Sequence, residues 1–397
     1  MSRYADYMAR WGVIGLGFTI PLTVALNNAL LALMLAGWLL GGRFREKFSA
    51  FQHPVAIAAL ALFGLLALGT IYGDAGAAPA ALYLRKYSDL LLIPVFLSLL
   101  RDARTRRHAL HAFALSLALV LALSYAIKMG LLSGIPSLRG NPDYPVVFKE
   151  HLTHNILMAF GVFLFAWLAL SANSLLARLC WAVLALLALA NVTIMVHGAT
   201  GYLILGGLLL LLGYQRLDWR GLSVAVLGVS LLLAALLAVP NPFQQRVSKI
   251  TNELHEWRAD RPARTSTGWR LEFYGNTLAI IADHPLLGVG TGGFPPAYAK
   301  KVEGTGRVAT HNPHNEFLLI TVQIGIAGLA ALLWLFWRQW QLAVGLDTRL
   351  ERELARGLVV TMVIGCMLNS LLLDHTEGLL YAWLTGVLYA GLKFGDE

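Results

Sequence analysis

The sequence has few charged residues and almost no cysteine. Only 13% of its 397 residues are Asp, Glu, Lys or Arg, whereas 57% are hydrophobic. Soluble domains carry about 25% charged residues, so this composition excludes an ordinary soluble domain. The two cysteines, Cys180 and Cys366, both fall inside apolar segments. They offer neither a disulfide framework nor the spacing of a zinc site, and we predict that they are packing residues.

Several catalytic motifs are absent from the sequence. It contains neither the Gly-x-Ser-x-Gly motif of serine hydrolases nor the His-Glu-x-x-His motif of zinc proteases. The glycine-rich run at residues 288–293 lacks the Lys-Ser/Thr that would follow in a phosphate-binding loop, so we interpret it as a tight turn. Two His-x-x-His pairs occur, but no cluster of carboxylates completes a metal-ligand set. We therefore predict no metal and no other cofactor.

The hydrophobic residues form long runs that recur from end to end of the chain. Crossing a bilayer takes about 17 to 25 apolar residues in a helix, and these runs are too long and too uniformly apolar for barrel strands. We therefore predict an all-α polytopic membrane protein in contact with membrane lipids. The net charge of +9 does not indicate nucleic-acid binding, because the basic residues are scattered among loops without interleaved aromatics.

We predict about twelve transmembrane helices. The apolar segment 11–40 is too long for one span and contains Pro21, so it is predicted to be a helical hairpin, and it has no convincing signal-cleavage site. Residues 1–239 are predicted to form spans one to nine, residues 240–310 one large extramembrane loop, and residues 311–397 spans ten to twelve. Span four is predicted to follow a small turn at residues 74–79, with Arg85, Lys86 and Asp89 in its first turns, and span nine to end near residue 239. The other predicted spans lie near residues 54–72, 109–129, 152–171, 177–196, 200–213, 315–337, 357–373 and 377–392.

The positive charges of the short loops predict the orientation, because Lys and Arg accumulate on the cytoplasmic side of a membrane. On an alternating path of twelve spans, the basic short loops share one side, and they comprise residues 43–47, 101–107, 178, 216–220 and 338–356. Both termini are therefore predicted to be cytoplasmic. The loops at 130–150 and 240–310 are predicted to face the opposite, extracytoplasmic side.

Most of the eleven histidines fall on that extracytoplasmic side. The pattern His-x-x-His-Asn occurs twice, at residues 151–155 before span six and at residues 311–315 before span ten. At this spacing both histidines of a pair would share one helix face. A histidine can take a proton from a hydroxyl near neutral pH. The candidate site residues from these patterns are His314, His311, Asn315, His151 and His154. The alternative is that they only cap and wet the helix ends.

Cations near the extracytoplasmic surface are candidates for binding phosphate. The predicted large loop carries nine Lys and Arg residues against six acids. Arginine binds phosphate oxygens with two parallel hydrogen bonds and stays charged, although it could also pair with loop acids or lipid headgroups. The candidates are Arg270, Arg264, Arg139, Arg85 and Lys86. A cation close to the hydrocarbon usually has a partner or a function, and the predicted partner of Lys86 is Asp89 at i+3.

Four segments carry a resemblance to a known family. Residues 264–275 read Arg-Thr-Ser-Thr-Gly-Trp-Arg-Leu-Glu-Phe-Tyr-Gly and residues 283–294 read Asp-His-Pro-Leu-Leu-Gly-Val-Gly-Thr-Gly-Gly-Phe. They are followed by His-Asn-Glu-Phe-Leu at 314–318 and Gln-Ile-Gly-Ile-Ala-Gly-Leu at 323–329. In this order and spacing the segments resemble the O-antigen ligase and polymerase superfamily. The topology also resembles that superfamily, with about twelve spans and one large periplasmic loop between spans nine and ten.

The resemblance implies an inverting glycosyltransferase in the bacterial inner membrane with a periplasmic active site. A ligase of this kind moves a glycan from undecaprenyl pyrophosphate to a sugar hydroxyl of the lipid A core, without a nucleotide or an essential metal. His314 matches the family histidine that would orient or deprotonate the acceptor, with His311 in support, and Arg270 matches the family arginine. Many relatives have a Ser/Thr-Arg pair near the end of span seven, whereas residues 197–201 here read His-Gly-Ala-Thr-Gly.

Three other functions stay open at this point. One is a purely structural membrane scaffold, which would leave the bias of the histidines toward one side unexplained. A polymerase of the same superfamily would use the same donor with a second lipid-linked glycan as acceptor, although the compact length and the His-Asn-x-x-Leu context favour a ligase. A lipid or glycolipid transporter would place ionisable residues deep in the spans and broken helices at the midplane. Here the polar groups crowd one rim of the predicted helices, which favours an enzyme.

Overall fold

The computed structural model describes residues 2–132 and 135–392, and this part of the chain is helical with no β-strand. Its helices follow one another in the order α1 (Ser2–Thr19), α2 (Val24–Leu40), α3 (Phe44–Ser49), α4 (Pro54–Tyr72), α5 (Ala77–Lys86), α6 (Leu92–Leu99), α7 (Ala103–Lys128), α8 (His151–Ser171), α9 (Leu175–Ala190), α10 (Ala199–Ala238), α11 (Pro242–Glu256), α12 (Ser266–Asp283), α13 (Phe294–Val302), α14 (Glu316–Leu342), α15 (Arg349–Leu368) and α16 (His375–Tyr389). The predicted all-α class is confirmed.

The N-terminal apolar segment forms the predicted helical hairpin. Helix α1 ends before Pro21, and α2 begins after Thr23, whose side chain accepts a hydrogen bond from the Leu26 backbone N–H. The two helices approach closely, because a Cβ atom on Gly12 would lie 2.9 Å from the Cβ of Met34. Pro21 fits the turn, since it has no backbone N–H to continue a helix.

The segment α10 consists of two helices that form a second hairpin, with no loop between them. Leu217 and Asp218 have non-helical backbone angles. A Cβ on Gly213 would lie 2.5 Å from both the Gly221 carbonyl oxygen and the Ala225 Cβ. Eight residues of straight helix would separate Gly213 from Gly221 by about 12 Å, so the chain folds back between them. The predicted turn between the two segments is therefore present, while their assignment as spans eight and nine stays a prediction.

Six of the described helices are long and apolar enough to cross a membrane, or seven if the bent pair formed by α2 and residues 44–52 counts as one span. The polytopic character is thus confirmed, while the total of twelve spans stays a prediction. The predicted fourth span is not one helix. A short 3-10 turn, Ser88–Leu91, separates α5 from α6.

The predicted large loop contains three helices, α11, α12 and α13. Its glycine-rich run lies against a break in α14, where Gly325 has a φ of 66°. The backbone N–H groups of Val289 and Gly290 donate hydrogen bonds of 2.8 Å to the carbonyl oxygens of Val322 and Gln323. These carbonyl oxygens lie at the break in α14, and the backbone N–H groups of the turn serve as their hydrogen-bond donors. The interpretation of the glycines as a turn is confirmed, and the domain boundaries at 239 and 310 stay predictions.

Helices α8 and α16 are buried along most of their length and lie at the centre of the helical assembly. Helix α8 begins at His151, α10 at Ala199 and α16 at His375, and the residues at or just before these starts lie close together. The N-terminal end of a helix carries a partial positive charge and unpaired backbone N–H groups. Several helix N-termini therefore gather at one place.

Candidate active site

A cavity of about 460 Å³ opens where these helix N-termini meet. Its wall combines the start of α8, the start of α10, one side chain each from α11 and α12, the segment before α14 and the corner between α15 and α16. The lining residues are Tyr144, Glu150, His151, Leu152, Asn155, His197, Gly198, Ala199, Thr200, Gly201, Arg246, Arg270, Asn312, His314, Asn369, Ser370 and Asp374. The cavity thus collects residues that lie far apart in the sequence.

Two arginines line this cavity without a carboxylate partner. Arg270 lies on α12 and Arg246 on α11, and both are partly buried. Within the described part of the chain, neither guanidinium has a carboxylate oxygen within 4 Å, whereas Arg139, for comparison, pairs with Glu150 at 3.0 Å. Burial lowers the pKa of Arg270, and the nearby charge of Arg246 lowers it further. Two partly buried, unpaired cations at one cavity favour an anionic ligand.

His314 projects from the irregular segment before α14. Its backbone is left-handed, with a φ of 58°. Its N–H donates a 2.8 Å hydrogen bond to the Asn312 side-chain oxygen, and its carbonyl accepts a 3.1 Å bond from the Tyr274 hydroxyl. The imidazole stacks on Phe273 with ring centres 6.3 Å apart. The histidine is therefore held at its backbone and at its ring.

The cavity favours the neutral form of the His314 imidazole. Burial lowers the pKa of His314 from its ordinary value of 6.5, and the positive charge of Arg270 lowers it further. A histidine with a pKa below 6.5 is mostly uncharged at pH 7 and has a ring nitrogen free to accept a proton. His314 can therefore act as a general base at neutral pH.

The first His-x-x-His pair is divided between the cavity and the protein core. His151 lines the cavity, whereas His154 is 1% exposed and its Nε2 lies 2.9 Å from the Asn191 side-chain oxygen. The second pair, at 311–315, is not helical, because α14 begins only at Glu316. The prediction that both histidines of each pair share a helix face is therefore wrong for the second pair. In the first pair both histidines lie in the first turn of α8, but His151 lines the cavity and His154 is buried in the core.

Two other predicted residues of the second pattern lie outside the lining of the cavity. His311 is exposed, and its backbone carbonyl accepts a 2.6 Å hydrogen bond from the Tyr83 hydroxyl. Asn315 caps α14, since its side-chain oxygen accepts the Leu318 N–H at 3.0 Å. Its side-chain amide donates to the Met367 carbonyl oxygen at 2.9 Å. The geometry therefore gives Asn315 a local structural contact and brings only His314 of this pattern into the cavity.

The remaining predicted cations do not line the cavity. Arg264 is exposed and lines a separate cavity between α11 and α12. Arg85 and Lys86 are exposed at the end of α5. The predicted Lys86–Asp89 ion pair is wrong, because the Lys86 side chain is exposed whereas the Asp89 side chain is buried. The Asp89 carboxylate instead lies 3.6 Å from the Nδ1 of His375.

Arg139 lines a neighbouring cavity of about 630 Å³, which shares Glu150, Leu152 and Asp374 with the first one. Asp374 stands at the corner before α16, and burial together with the charge of Glu150 raises its pKa, an effect that Lys86 opposes. The two cavities are therefore contiguous. Arg139 lines one of them and Arg270 lines the other.

Arg246 is the main residue that the sequence did not single out. It was one of nine basic residues of the predicted large loop, with no motif to distinguish it. In the structure it lines the cavity together with His197, Gly198 and Ala199. These three residues belong to segment 197–201, where the resemblance leads us to expect a Ser/Thr-Arg pair but this sequence has no arginine. The available signal was therefore the departure at residues 197–201, but it did not indicate which arginine would lie nearby.

The described residues contain no group of three or more His, Cys, Asp and Glu side chains that could hold a metal ion. The cavity has histidines and carboxylates, but they are not gathered as a ligand set. The groups that line the cavity include two guanidinium groups, the imidazoles of three histidines, two carboxylates and the first residues of α8 and α10.

The chain was compared with protein families and with known proteins. A family model described as O-antigen ligase matches residues 182–333, the segment from α9 to α14. A solved chain from work on the structural coordination of polymerization and crosslinking by a peptidoglycan synthase complex is 18% identical, with 84% of this chain and 96% of that chain covered and a TM-score of 0.47. No curated protein sequence matches the chain. The resemblance predicted from the sequence is confirmed over residues 182–333, which match the O-antigen ligase family model and contribute Arg246, Arg270 and His314 to the cavity.

Proposed function

We propose that this protein is an O-antigen ligase, an inverting glycosyltransferase that moves a glycan from undecaprenyl pyrophosphate to a sugar hydroxyl of the lipid A core. The proposal places the reaction on the periplasmic side of the bacterial inner membrane. The observation that supports it most is one cavity lined by two arginines without a carboxylate partner among the described residues, Arg246 and Arg270, and by His314, whose pKa is lowered by burial and by the charge of Arg270.

In this mechanism the arginines bind the pyrophosphate group. Arg246 and Arg270 come from different helices, so they can contact the anion from two directions. As the bond between the anomeric carbon and the pyrophosphate oxygen breaks, negative charge develops on that oxygen. Fixed guanidinium groups stabilise this charge without reorganising. The N-terminal ends of α8 and α10, whose first residues line the cavity, add to the positive potential.

His314 acts on the acceptor. The acceptor hydroxyl oxygen forms a bond to the anomeric carbon and gives its proton to the His314 imidazole, while undecaprenyl pyrophosphate leaves. Attack on the face opposite the leaving group inverts the anomeric centre. Since pyrophosphate is a good leaving group, positioning and electrostatic stabilisation account for most of the barrier lowering. Arg139, which lies in the contiguous cavity, would contact the acceptor saccharide.

The test is transfer in vitro with purified protein, undecaprenyl-pyrophosphate-linked glycan and rough lipopolysaccharide, in the presence of a chelator. We expect glycosylated lipopolysaccharide from the wild type and at least about 100-fold less from His314→Ala and from Arg270→Ala. His255→Ala and Arg45→Ala are matched controls, because both residues are exposed and lie outside the cavity.

The products distinguish the alternatives. If only longer lipid-linked glycan forms, the protein is a polymerase. If no glycan is transferred to either acceptor by any form of the protein, the glycosyltransferase proposal fails and lipid transport is the next function to test. If the wild type is active and the His314 and Arg270 variants match their controls, the assignment of the site is wrong.

A further inference from the structure

The left-handed backbone of His314 requires support from its surroundings. Among the described residues that are not glycine, only Arg43, Asp218 and His314 have a positive φ. For such residues the left-handed conformation costs about 1 to 2 kcal/mol, so it persists only where neighbouring groups hold it. Arg43 and Asp218 lie in exposed turns. His314 adopts this conformation at the wall of the cavity.

The Asn312 side chain supplies part of that support. Its amide oxygen accepts two hydrogen bonds, one from the His314 N–H at 2.8 Å and one from the Ser370 hydroxyl at 2.7 Å. Both partners are donors, so the oxygen of the amide, not the nitrogen, must face them. The Asn312 backbone is fixed in turn by Thr310, whose hydroxyl accepts the Asn312 N–H at 3.2 Å. Asn312 therefore joins the turn at His314 to the corner between α15 and α16.

Helix α12 supports His314 from the other side. The Tyr274 hydroxyl lies 3.1 Å from the His314 carbonyl oxygen and 3.2 Å from the Met367 carbonyl oxygen. Phe273 stacks on the imidazole. The position of His314 is thus fixed through its backbone N–H, its carbonyl oxygen and its ring. The contact at the N–H is the one made by the Asn312 side chain.

We propose that Asn312 is a positioning residue whose amide oxygen, itself held by Ser370, fixes the left-handed turn at His314 and so directs the imidazole into the cavity. This inference rests on the proposed role of His314 as the base. A base displaced by about 1 Å can lose roughly 100-fold in rate, because the acceptor hydroxyl must lie within hydrogen-bonding distance.

The test compares Asn312→Ala with Asn312→Asp in the purified transfer assay. Asn312→Ala removes the acceptor of both hydrogen bonds, so we expect kcat to fall about 10- to 100-fold while KM for the lipid-linked donor changes less than about twofold. Asn312→Asp keeps an oxygen for both donors, so kcat should recover to within about fivefold of the wild type at neutral pH. Asn252→Ala is the matched control, because Asn252 is exposed and its side chain has no hydrogen bond within the described residues.

A pH profile separates positioning from a general loss of structure. The added carboxylate of Asn312→Asp would lie next to His314 and raise its pKa, so the acid limb of kcat/KM should move to higher pH. Other charged or titratable groups also line this cavity or contact His314, and they are Arg270 and Tyr274 from α12, Arg246 from α11, Glu150 and His151 at the start of α8, His197 before α10, Tyr144 from the loop before α8 and Asp374 from the corner before α16. They are unchanged in both variants.

The outcomes distinguish this inference from the proposed function. If His314→Gln transfers as well as the wild type, the role of His314 fails and this inference fails with it. If His314→Gln is inactive but Asn312→Ala keeps wild-type kcat, only the positioning role is overturned. If Asn312→Ala does not fold, Asn312→Asp decides, because low kcat with an unshifted acid limb would overturn the proposal and near-normal kcat with a shifted limb would support it.

Discussion

The guanidinium of Arg270 and the imidazole of His314 line the same cavity, and the charge of Arg270 adds to burial in lowering the pKa of His314. Helix α12 sets this relationship. Arg270 lies three residues before Phe273 and four before Tyr274, which places all three on one face of the helix. Phe273 and Tyr274 contact His314 directly. Helix α12 therefore carries both the arginine that we propose for the leaving group and two contacts to the histidine that we propose as the base.

This relationship predicts the pH dependence of transfer. His314 must be neutral to accept a proton, and its pKa lies below 6.5, so kcat/KM should be constant near pH 7 and fall as the pH drops through that pKa. Arg270→Gln removes the nearby positive charge and should raise the pKa of His314, which moves the acid limb to higher pH. The measurement is kcat/KM for the donor between about pH 5 and 8.

The residual activity of Arg270→Gln is expected to be low, so its profile is compared by shape and not by height. Arg45→Gln removes an exposed arginine outside the cavity and should leave the acid limb in place. An acid limb at the same pH in Arg270→Gln and wild type would show that Arg270 does not influence the base.

Arg246 is predicted to bind the leaving pyrophosphate even though no motif marks it. Arg246→Ala should reduce kcat/KM for the lipid-linked donor by about 100-fold, the usual cost of removing one charge-stabilising donor. Arg246→Lys should recover only part of this loss, because a lysine lacks the two parallel hydrogen bonds of a guanidinium. Arg45→Ala is the control. If Arg246→Ala is fully active while Arg270→Ala is inactive, the pyrophosphate does not contact α11.

The sequence was sufficient for the helical class and for several helix boundaries. Predicted span three ends at the same residues as α4, Pro54 and Tyr72, because a long apolar run flanked by polar turns has one helical solution. The sequence did not predict the place where span four is interrupted. The break between α5 and α6 at Ser88–Leu91 contains no proline or glycine, and it depends on tertiary contacts such as the Tyr87 hydroxyl bond to Glu316.

The candidate site was only partly predictable for a related reason. His314 and Arg270 carry family motifs, and both line the cavity. Arg246 lies on an amphipathic helix whose sequence resembles any solvated helix, and only the packing of α11 beside residues 197–201 brings it to the cavity wall. Local sequence patterns do not encode that contact, which joins segments about 50 residues apart in the chain.

The orientation of the chain can be tested by labelling with a membrane-impermeant maleimide. In a background of Cys180→Ser and Cys366→Ala, we predict that Ser248→Cys on α11 reacts in spheroplasts. Arg104→Cys, in a short basic loop, should react only after the membrane is permeabilised, because basic short loops stay cytoplasmic. Both original residues are exposed in the structure. Labelling in the reverse order would contradict the periplasmic assignment of the cavity.

Gly325 is predicted to be essential for the packing of the glycine-rich turn. Its φ is 66°, and an added Cβ would lie 1.9 Å from the Leu286 carbonyl oxygen. Gly325→Ala would combine backbone strain with a clash against main-chain atoms, so we expect a loss of about 2 to 4 kcal/mol in unfolding free energy. Gly206→Ala is the matched control, because Gly206 lies in α10 with open space around its Cβ position.

Thermal unfolding in detergent measures this difference. Gly325→Ala should lower the midpoint by several degrees, whereas Gly206→Ala should leave it unchanged or raise it slightly, since alanine favours a helix. Equal midpoints for the two variants would mean that the turn at residues 288–293 does not pack tightly against α14.

The buried carboxyl of Glu316 anchors the segment that carries His314. One of its oxygens accepts the Tyr87 hydroxyl at 2.7 Å, and the other accepts the Leu372 N–H at 2.8 Å. Glu316 is fully buried, so Glu316→Ala would leave the Leu372 N–H without its acceptor and the Tyr87 hydroxyl with Gln323 alone, and it should cost about 2 to 4 kcal/mol. Glu316→Gln should cost less, because its amide oxygen still satisfies one donor.

A double-mutant cycle with Tyr87→Phe isolates one of these contacts. In the wild type, Tyr87→Phe removes a hydrogen bond to a buried carboxyl and should lower the unfolding midpoint. In the Glu316→Ala background the hydroxyl has already lost its carboxyl acceptor and keeps only Gln323, so the same change should cost less. Additive effects of the two substitutions would contradict a direct contact. Since Glu316 follows His314 by two residues, the unfolding data also indicate how firmly the fold holds the base.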